Sequence, residues 1–200
     1  LKNGLTVYLS RNDRVPKIYS VMGVRAGSMD EPADATGLAH YFEHMMFKGT
    51  SKIGSLDWEK EKPMLDKLNE LFEKHRTSND PEEKKEIYKE IDRISGEAAK
   101  LAVAGEYDKI ITSLGGSVNA FTSNDMTAFV ADLPANELDK FLKLESERLS
   151  NPRLRLFHTE LETVFEEFNM HQDSDGSQAY EALFKELFPQ HPYGRSVIGL

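Results

Sequence analysis

The stretch from Leu38 to Phe47 constrains the fold of this chain more than any other feature. If it is helical, apolar side chains cover nearly every face, a pattern typical of a buried helix. The polar exceptions are His40, Glu43, His44 and the hydroxyl group of Tyr41. Burying two imidazoles and an ionised carboxylate costs free energy unless they are paired or bound to a metal. A fold that contains this helix must therefore give these groups partners in its interior.

The spacing of the polar groups predicts that they act together. His40 and His44 lie four residues apart, about 6 Å along a helix axis, and point the same way, with Glu43 on the same side. Neutral imidazole is the commonest protein ligand of zinc, and this order is that of the inverzincin motif, H-x-x-E-H. The five residues alone leave two interpretations open: a metal site, or two core histidines with a carboxylate paired to one of them. We expect Thr36 to cap the helix and Gly49 to end it.

Composition narrows the classes of ligand and partner. The 200 residues are enough for one domain with a substantial core, and 39% hydrophobic and 30% charged residues fit a globular protein. A net charge of −9 and the lack of a Lys/Arg cluster argue against nucleic acid. No apolar run approaches the roughly 18 residues of a membrane span. Because the chain has no cysteine, metal ligands must be His, Asp or Glu.

Both ends of the sequence indicate a piece of a longer protein. The first residues lie inside a turn that leads into a strand, without an initiator Met or a signal peptide. The last residues, 196–200, stop within what reads as folded chain. Any targeting signal would precede Leu1, so the compartment is open. We favour the periplasm or another part of the cell envelope, with the cytoplasm as the alternative.

Strand and helix patterns alternate without a regular βαβ rhythm. The predicted strands are Leu5–Ser10, Ile18–Arg25, Ser117–Thr122 and Met126–Leu133, the last two forming a hairpin. The predicted helices are the Leu38–Phe47 helix, a charged helical hairpin at about 56–104, and helices at 134–150, 160–170 and 177–187. We therefore predict an α+β fold with helices over one face of a mostly antiparallel sheet.

A third metal ligand is sought among carboxylates at the margin of an apolar stripe. In the 160–170 helix that stripe consists of Leu161, Val164, Phe165 and Phe168. Glu160 and Glu167 are seven residues apart and lie on one line beside it, whereas Glu162 and Glu166 point further out. Glu167 could thus be a ligand, with Glu160 one row away as a supporting group. An acidic solvated face is the alternative, and His158 and His171 are further candidate ligands.

A set of short motifs in one order resembles the pitrilysin/insulinase family of zinc metallopeptidases, also called M16, which includes the mitochondrial processing peptidases. The motifs are Asn3-Gly4-Leu5, Gly23–Ser28, Gly37–His40, Gly115–Thr122, Leu133-Pro134, Glu160–Glu167 and His191–Arg195. They cover nearly the whole chain outside the helical hairpin. The resemblance implies a metallohydrolase (LuxS-like) fold in which residues 1–200 form the first domain of the zinc-bearing half.

The resemblance also implies roles for site residues. His40, His44 and Glu167 would hold one Zn²⁺ per domain, Glu43 would be the general base, and Glu160 would support the site. Asn119, Ala120 and Phe121 resemble the edge strand that receives an extended peptide substrate. The separation of His44 from Glu167 is longer than is usual in the family, which is attributed to an insertion at about 56–104.

The resemblance leaves more than one function open. The main expectation is a zinc endopeptidase domain that acts with a second homologous half, in the same chain or in a partner subunit. The alternative is a non-catalytic scaffold or substrate-clamping subunit, although degenerate halves of the family usually lose the motif that this chain keeps. A metal hydrolase that acts on something other than peptides is a third possibility.

Overall fold

A computed structural model of the chain describes residues 1–199 as a small sheet with seven helices. The strands are β1 (Lys17–Val24), β2 (Ser117–Thr122) and β3 (Thr127–Pro134). The helices are α1 (Leu38–Met45), α2 (Trp58–Thr77), α3 (Pro81–Ala99), α4 (Glu106–Ser113), α5 (Leu138–Ser150), α6 (Phe157–Gln172) and α7 (Asp175–Leu187). The predicted α+β class is confirmed. Across residues 1–199, no helix combines the length and apolar character needed to cross a membrane.

The sheet is antiparallel, with β3 between β1 and β2. Ile18 of β1 pairs with Leu133, and Val118 of β2 pairs with Ala131. Because side chains alternate along a strand, these residues share one face. The helices pack on this face around a core of Tyr107, Ile111, Ala131, Leu133, Phe141 and Leu144. The opposite face carries the exposed side chains of Tyr19 and Val21.

The predicted strand at Leu5–Ser10 is wrong. These residues form no strand in the structure, and Tyr8 and Leu9 are about 90% and 94% exposed. A strand needs a hydrogen-bonding neighbour, and within residues 1–199 β1 pairs only with β3. The Val and Tyr residues give this segment a preference for strand conformation, but without a neighbouring strand to pair with, that preference does not produce a strand.

Helix α1 begins and packs differently from the sequence prediction. Its N-cap is Gly37 at φ 87°, not Thr36, and the buried Glu31 carboxylate accepts hydrogen bonds from the Gly37 and Ala39 amides at 2.8 and 2.6 Å. A carboxylate suits this end because the helix dipole is positive there. The prediction that nearly every face of this helix is buried is also wrong, since Phe42 is 48% exposed.

The α2–α3 pair forms the predicted helical hairpin and has its own apolar cluster. Leu71 of α2 packs against Ile87, Ile91 and Ile94 of α3. Asp80 caps α3 by accepting a hydrogen bond from the Glu82 amide at 3.0 Å, with Pro81 at the first helical position. These contacts give the hairpin an apolar cluster of its own.

A fully buried ion pair joins the base of the hairpin to the segment entering α6. The Arg155 guanidinium donates to both oxygens of Glu61 at 2.8 and 2.9 Å, and the two side chains are 2% and 0% exposed. Arg155 also donates to the carbonyl oxygens of Lys48, Thr50 and Ile53 at 2.8 to 2.9 Å. This one side chain therefore fixes α2, the loop after α1 and the start of α6 relative to one another.

Candidate metal centre

Helices α1 and α6 bring three predicted ligands together. His40 and His44 lie one turn apart on α1, and their Nε2 atoms are 3.3 Å apart. The Glu167 carboxylate on α6 approaches these two Nε2 atoms at 3.7 and 3.4 Å. One candidate ligand atom from each residue lies within 4.8 Å of the others. The structure thus places His40, His44 and Glu167 as a cluster of three donors.

The spacing of these donors fits a zinc ion. Zinc bound to nitrogen or oxygen at about 2.1 Å in tetrahedral geometry requires ligand atoms about 3.4 Å apart. The two Nε2 atoms are 3.3 Å apart, and the two Glu167 oxygens lie near that value, Oε1 at 3.7 Å from His40 Nε2 and Oε2 at 3.4 Å from His44 Nε2. Two neutral imidazoles and one carboxylate are also a donor set that zinc accepts, with one position left for water.

Glu160 contacts the His44 ring on the side away from the other donors, and Lys48 contacts Glu160. Glu160 is buried, its Oε1 lies 2.8 Å from His44 Nδ1, and its Oε2 contacts Lys48 Nζ. Burial alone would raise the pKa of Glu160, but hydrogen bonds from His44 and Lys48 outweigh burial and lower it. The bond to Glu160 in turn raises the pKa of His44. An ionised Glu160 keeps the proton on Nδ1 and leaves Nε2 to face the cluster.

The surroundings of His40 favour its neutral form, which is the form that binds metals. Burial lowers the pKa of its imidazole, and the neighbouring His44 and His171 add to this effect, while Glu167 opposes it. Its buried Nδ1 has no hydrogen-bond partner among the described residues. The ring therefore presents Nε2 as its one engaged nitrogen, directed at His44 and Glu167.

Glu43 is buried on α1 beside the cluster and is fixed by the sheet. Its Oε2 accepts a hydrogen bond from the Thr122 hydroxyl at 2.7 Å. Burial raises the pKa of Glu43, and the bond from Thr122 partly offsets that rise. A carboxylate with a raised pKa next to a metal site is suited to take up and release a proton.

The buried face of α6 differs from the predicted apolar stripe. Glu160 and Val164 are buried and Glu167 is half-buried, whereas Leu161 and Phe165 are 50% and 59% exposed. The reason is that α6 packs on α1 through the line of Glu160, Val164 and Glu167. The carboxylates thus lie at the centre of the helix contact, and their partners on α1 compensate for their burial.

A cleft of about 1520 Å³ opens in front of the cluster. One wall is strand β2, including the predicted substrate residues Asn119, Ala120 and Phe121, and the other is formed by α7 and residues 193–198. Within residues 1–199, β2 pairs with β3 on one side only, so its other edge is free for pairing. His171 lines the cleft outside the three-donor cluster.

His158, a further candidate ligand in the sequence, lies outside the three-donor cluster. Its ring lies among aromatic rings, 5.1 Å from Phe72 and 5.8 Å from Tyr88 of the hairpin and 6.0 Å from Phe157. It therefore contributes to docking the hairpin on α6.

Sequence reasoning did not identify three residues that hold the site. Glu31 stabilises the start of α1, Thr122 holds Glu43, and Lys48 holds Glu160. Lys48 follows His44 by four residues but lies in the loop after α1, which ends at Met45, so helix periodicity alone does not place it at the site. Thr122 and Glu31 reach the site only through the tertiary fold.

Comparison with known proteins agrees with this geometry. The family model for insulinase, peptidase family M16, matches residues 6–65 and 91–199. The chain belongs to this family. The matched stretches leave out residues 66–90, which lie in the α2–α3 hairpin. The extent of the predicted insertion, about 56–104, stays a prediction.

The relatives are zinc proteases and proteins of the same fold. An uncharacterized zinc protease of Mycobacterium leprae is 27% identical over the full chain, which spans 34% of that protein. The crystal structure of a protease from Helicobacter pylori superposes with a TM-score of 0.65 at 25% identity, over 93% of this chain and 34% of that one. Pitrilysin has the same fold, with a TM-score of 0.61 at 20% identity, over 94% and 15%. The chain is thus a domain of a zinc-protease family. It spans about a third of the length of the Mycobacterium leprae relative.

Proposed function

We propose that this chain is the zinc-bearing catalytic domain of an endopeptidase that hydrolyses extended peptides or unfolded segments. The observation that carries the proposal is the three-donor cluster of His40, His44 and Glu167 with Glu43 beside it. Zinc bound there would supply a Lewis acid and a water molecule of lowered pKa, near 7.

Glu43 has the position of the general base in this proposal. It would take the proton of the attacking water and pass it to the leaving amine of the cleaved peptide. Its burial and its hydrogen bond to Thr122 restrict the carboxylate to one orientation next to the donors. The Glu160 contact holds the His44 ring with its Nε2 directed at the other donors, which would preorganise this ligand for the reaction.

The free edge of β2 is the proposed substrate site. A peptide that adds to this edge as a further strand forms main-chain hydrogen bonds that depend little on sequence. Asn119, Ala120 and Phe121 lie along the cleft, and the strand ends at Thr122, which touches Glu43. Strand addition would therefore deliver a backbone carbonyl next to the base.

A second homologous half is part of the proposal. The chain spans 34% of its Mycobacterium leprae relative, which leaves room for a further half that closes the cleft. That half would belong to the same chain or to a partner subunit. The envelope location stays a prediction.

The base assignment is tested with the full-length protein that carries this chain. We expect Glu43→Gln to bind zinc as the wild type does, because Glu43 is not one of the three donors. Cleavage of a quenched peptide library should fall by about 10²- to 10⁴-fold. Glu162→Gln, on the exposed side of α6, is the matched control and should cleave normally.

Two results would contradict the proposal. Full cleavage by Glu43→Gln would remove Glu43 from the base role. A wild-type protein that neither binds zinc nor cleaves peptide bonds after reconstitution with the metal would favour the non-catalytic scaffold.

A further inference from the structure

Lys48 is the cation that meets the carboxylate supporting His44. Its Nζ contacts Glu160 Oε2, and the other oxygen of Glu160 lies 2.8 Å from His44 Nδ1. Both oxygens of this buried carboxylate are therefore engaged, one by a ligand of the candidate metal centre and one by Lys48. A carboxylate held at both oxygens has one orientation in which it meets the imidazole.

The main chain of Lys48 is anchored independently of its side chain. Its amide donates to the Met45 carbonyl at 3.1 Å, and its carbonyl accepts from Arg155 at 2.8 Å. Arg155 belongs to the segment that leads into α6 and is locked to Glu61. Arg155 and its partners thus fix both the main chain of Lys48 and the start of α6, the helix that carries Glu160. The two side chains therefore extend toward each other from fixed positions.

The burial of this pair separates it from the surface ion pairs of the chain. The Lys48 and Glu160 side chains are 22% and 9% exposed, whereas those of Lys62 and Asp66 on α2 are 53% and 57% exposed. Exposed pairs contribute little because solvent screens them. Removing a lysine and a carboxylate from water costs free energy that their attraction need not repay, so such a pair is weak evidence for stability. We therefore expect the role of this pair to lie at the metal site.

We propose that Lys48 is a positioning residue for the His44 ligand: by holding one oxygen of Glu160, it keeps the other on His44 Nδ1, so that Nε2 faces His40 and Glu167. This inference rests on the proposed zinc site and adds a residue to it. In this proposal Lys48 acts on His44 through Glu160, which its Nζ contacts, although Lys48 also lines the cleft.

The first test measures zinc affinity of the full-length protein by competition with a chromophoric chelator. Supporting residues around metal ligands typically change metal affinity by about 10- to 100-fold, so Lys48→Met should raise the dissociation constant by about tenfold. Lys48→Arg keeps the charge and should stay within about threefold of the wild type. Lys62→Met removes an exposed lysine from a similar ion pair and should leave the constant unchanged.

The second test asks whether Lys48 acts through Glu160. Glu160→Gln should weaken zinc binding by about 10- to 100-fold. Adding Lys48→Met to Glu160→Gln should weaken zinc binding little further. The absorption spectrum of the cobalt(II)-substituted protein should change in Lys48→Met, because the His44 ring is no longer held. Lys48→Gln serves as the replacement if Lys48→Met does not fold.

The outcomes separate this inference from the proposed function. Zinc binding by Lys48→Met within twofold of the wild type, while Glu160→Gln is weakened, overturns the role of Lys48 and leaves the zinc site intact. Fully additive losses in the double variant, or a change in KM with unchanged zinc affinity, also overturn it. A wild-type protein that binds no zinc overturns the proposed function itself.

Discussion

The hydrogen bond from Thr122 to Glu43 joins two residues that are 79 positions apart in the sequence. It connects the end of the proposed substrate strand to the proposed base. A peptide that pairs with β2 would therefore lie against the same strand that orients the carboxylate. In the proposed mechanism, Thr122 therefore links the substrate strand to the orientation of the base.

We predict that Thr122→Val lowers kcat/KM by about tenfold, since removing one hydrogen bond to a charged group costs about 1.5 kcal/mol. Valine matches threonine in shape and favours strands, so β2 should persist. Thr122→Ser keeps the hydroxyl and should retain most of the activity. Peptide hydrolysis and zinc content are measured together, and a Thr122→Val protein as active as the wild type would show that the bond does not matter.

The sequence predicted the residues at the centre of the site and the supporting Glu160, but not Thr122, Lys48 and Glu31, which also hold the site. His40, Glu43 and His44 stand out because polar groups in an apolar helix need partners. Thr122 and Glu31 do not stand out, because a hydroxyl near a turn and an acid in a loop are ordinary features of a surface. Their roles depend on contacts between distant segments, which no local pattern carries.

At the scale of elements, the buried Arg155–Glu61 pair determines how three segments meet. Glu61→Leu leaves the guanidinium of Arg155 without a counter-ion in the interior, so we predict a loss of about 3–5 kcal/mol in the free energy of unfolding. The double variant Glu61→Leu with Arg155→Met leaves neither charge buried, but it also removes the donor to the carbonyl oxygens of Lys48, Thr50 and Ile53, so it should recover only part of that loss.

Urea unfolding followed by the fluorescence of Trp58, whose ring lies 5.9 Å from the Arg155 guanidinium, measures this effect. Glu73→Gln breaks an exposed pair with Arg76 on the same helix and should change the free energy of unfolding by less than about 0.5 kcal/mol. Equal effects of the two changes would mean that the buried pair does not anchor α2.

The α2–α3 hairpin is predicted to be dispensable for metal binding. Its apolar cluster is its own, and the three donors lie on α1 and α6. Replacing residues 66–90 with a short turn keeps Glu61 and should leave zinc affinity within about threefold of the wild type, below the effect of losing a supporting residue. Loss of zinc binding in this variant would show that the Phe72 and Tyr88 contacts with His158 hold α6 in place.

Element prediction failed where burial or pairing depends on the rest of the fold. The 5–10 segment has strand propensity but no partner within residues 1–199. The α6 stripe of Leu161 and Phe165 has the period of a buried face but is exposed, because the carboxylate line packs on α1. Helix α3 begins at the predicted Asp80 cap and Pro81, and α7 ends at Leu187 as predicted. Helix α5 was predicted to open at Pro134 but begins at Leu138, because Pro134 ends β3 and residues 135–137 form a short 3₁₀ helix.

For the whole molecule, the sheet, α1 and α6 form a frame that presents three donors to one cleft. The fold class followed from the sequence because the hairpin and helix patterns alternate without βαβ units. The prediction of helices over one face also implied an uncovered face, but not that Tyr19 and Val21 lie on it, since the strand pattern alone does not state which face is covered.

Metal removal tests the frame as a whole. A ligand that binds only the folded state at 100 times its dissociation constant stabilises it by about 2.7 kcal/mol. For a domain of this size that corresponds to a rise of about 5–10 °C in the melting temperature. We predict that chelation lowers the melting temperature of the zinc-loaded wild type by this amount and that zinc restores it.

The same shift identifies which residues bind the metal. Glu43→Gln should keep the full zinc-dependent shift, because Glu43 contacts Thr122 and lies outside the three donors. His44→Ala should lose it, because one donor is gone and Glu160 has no imidazole to orient. Differential scanning calorimetry of the three proteins with and without zinc measures this, and an equal shift in His44→Ala and the wild type would place the metal elsewhere in the molecule.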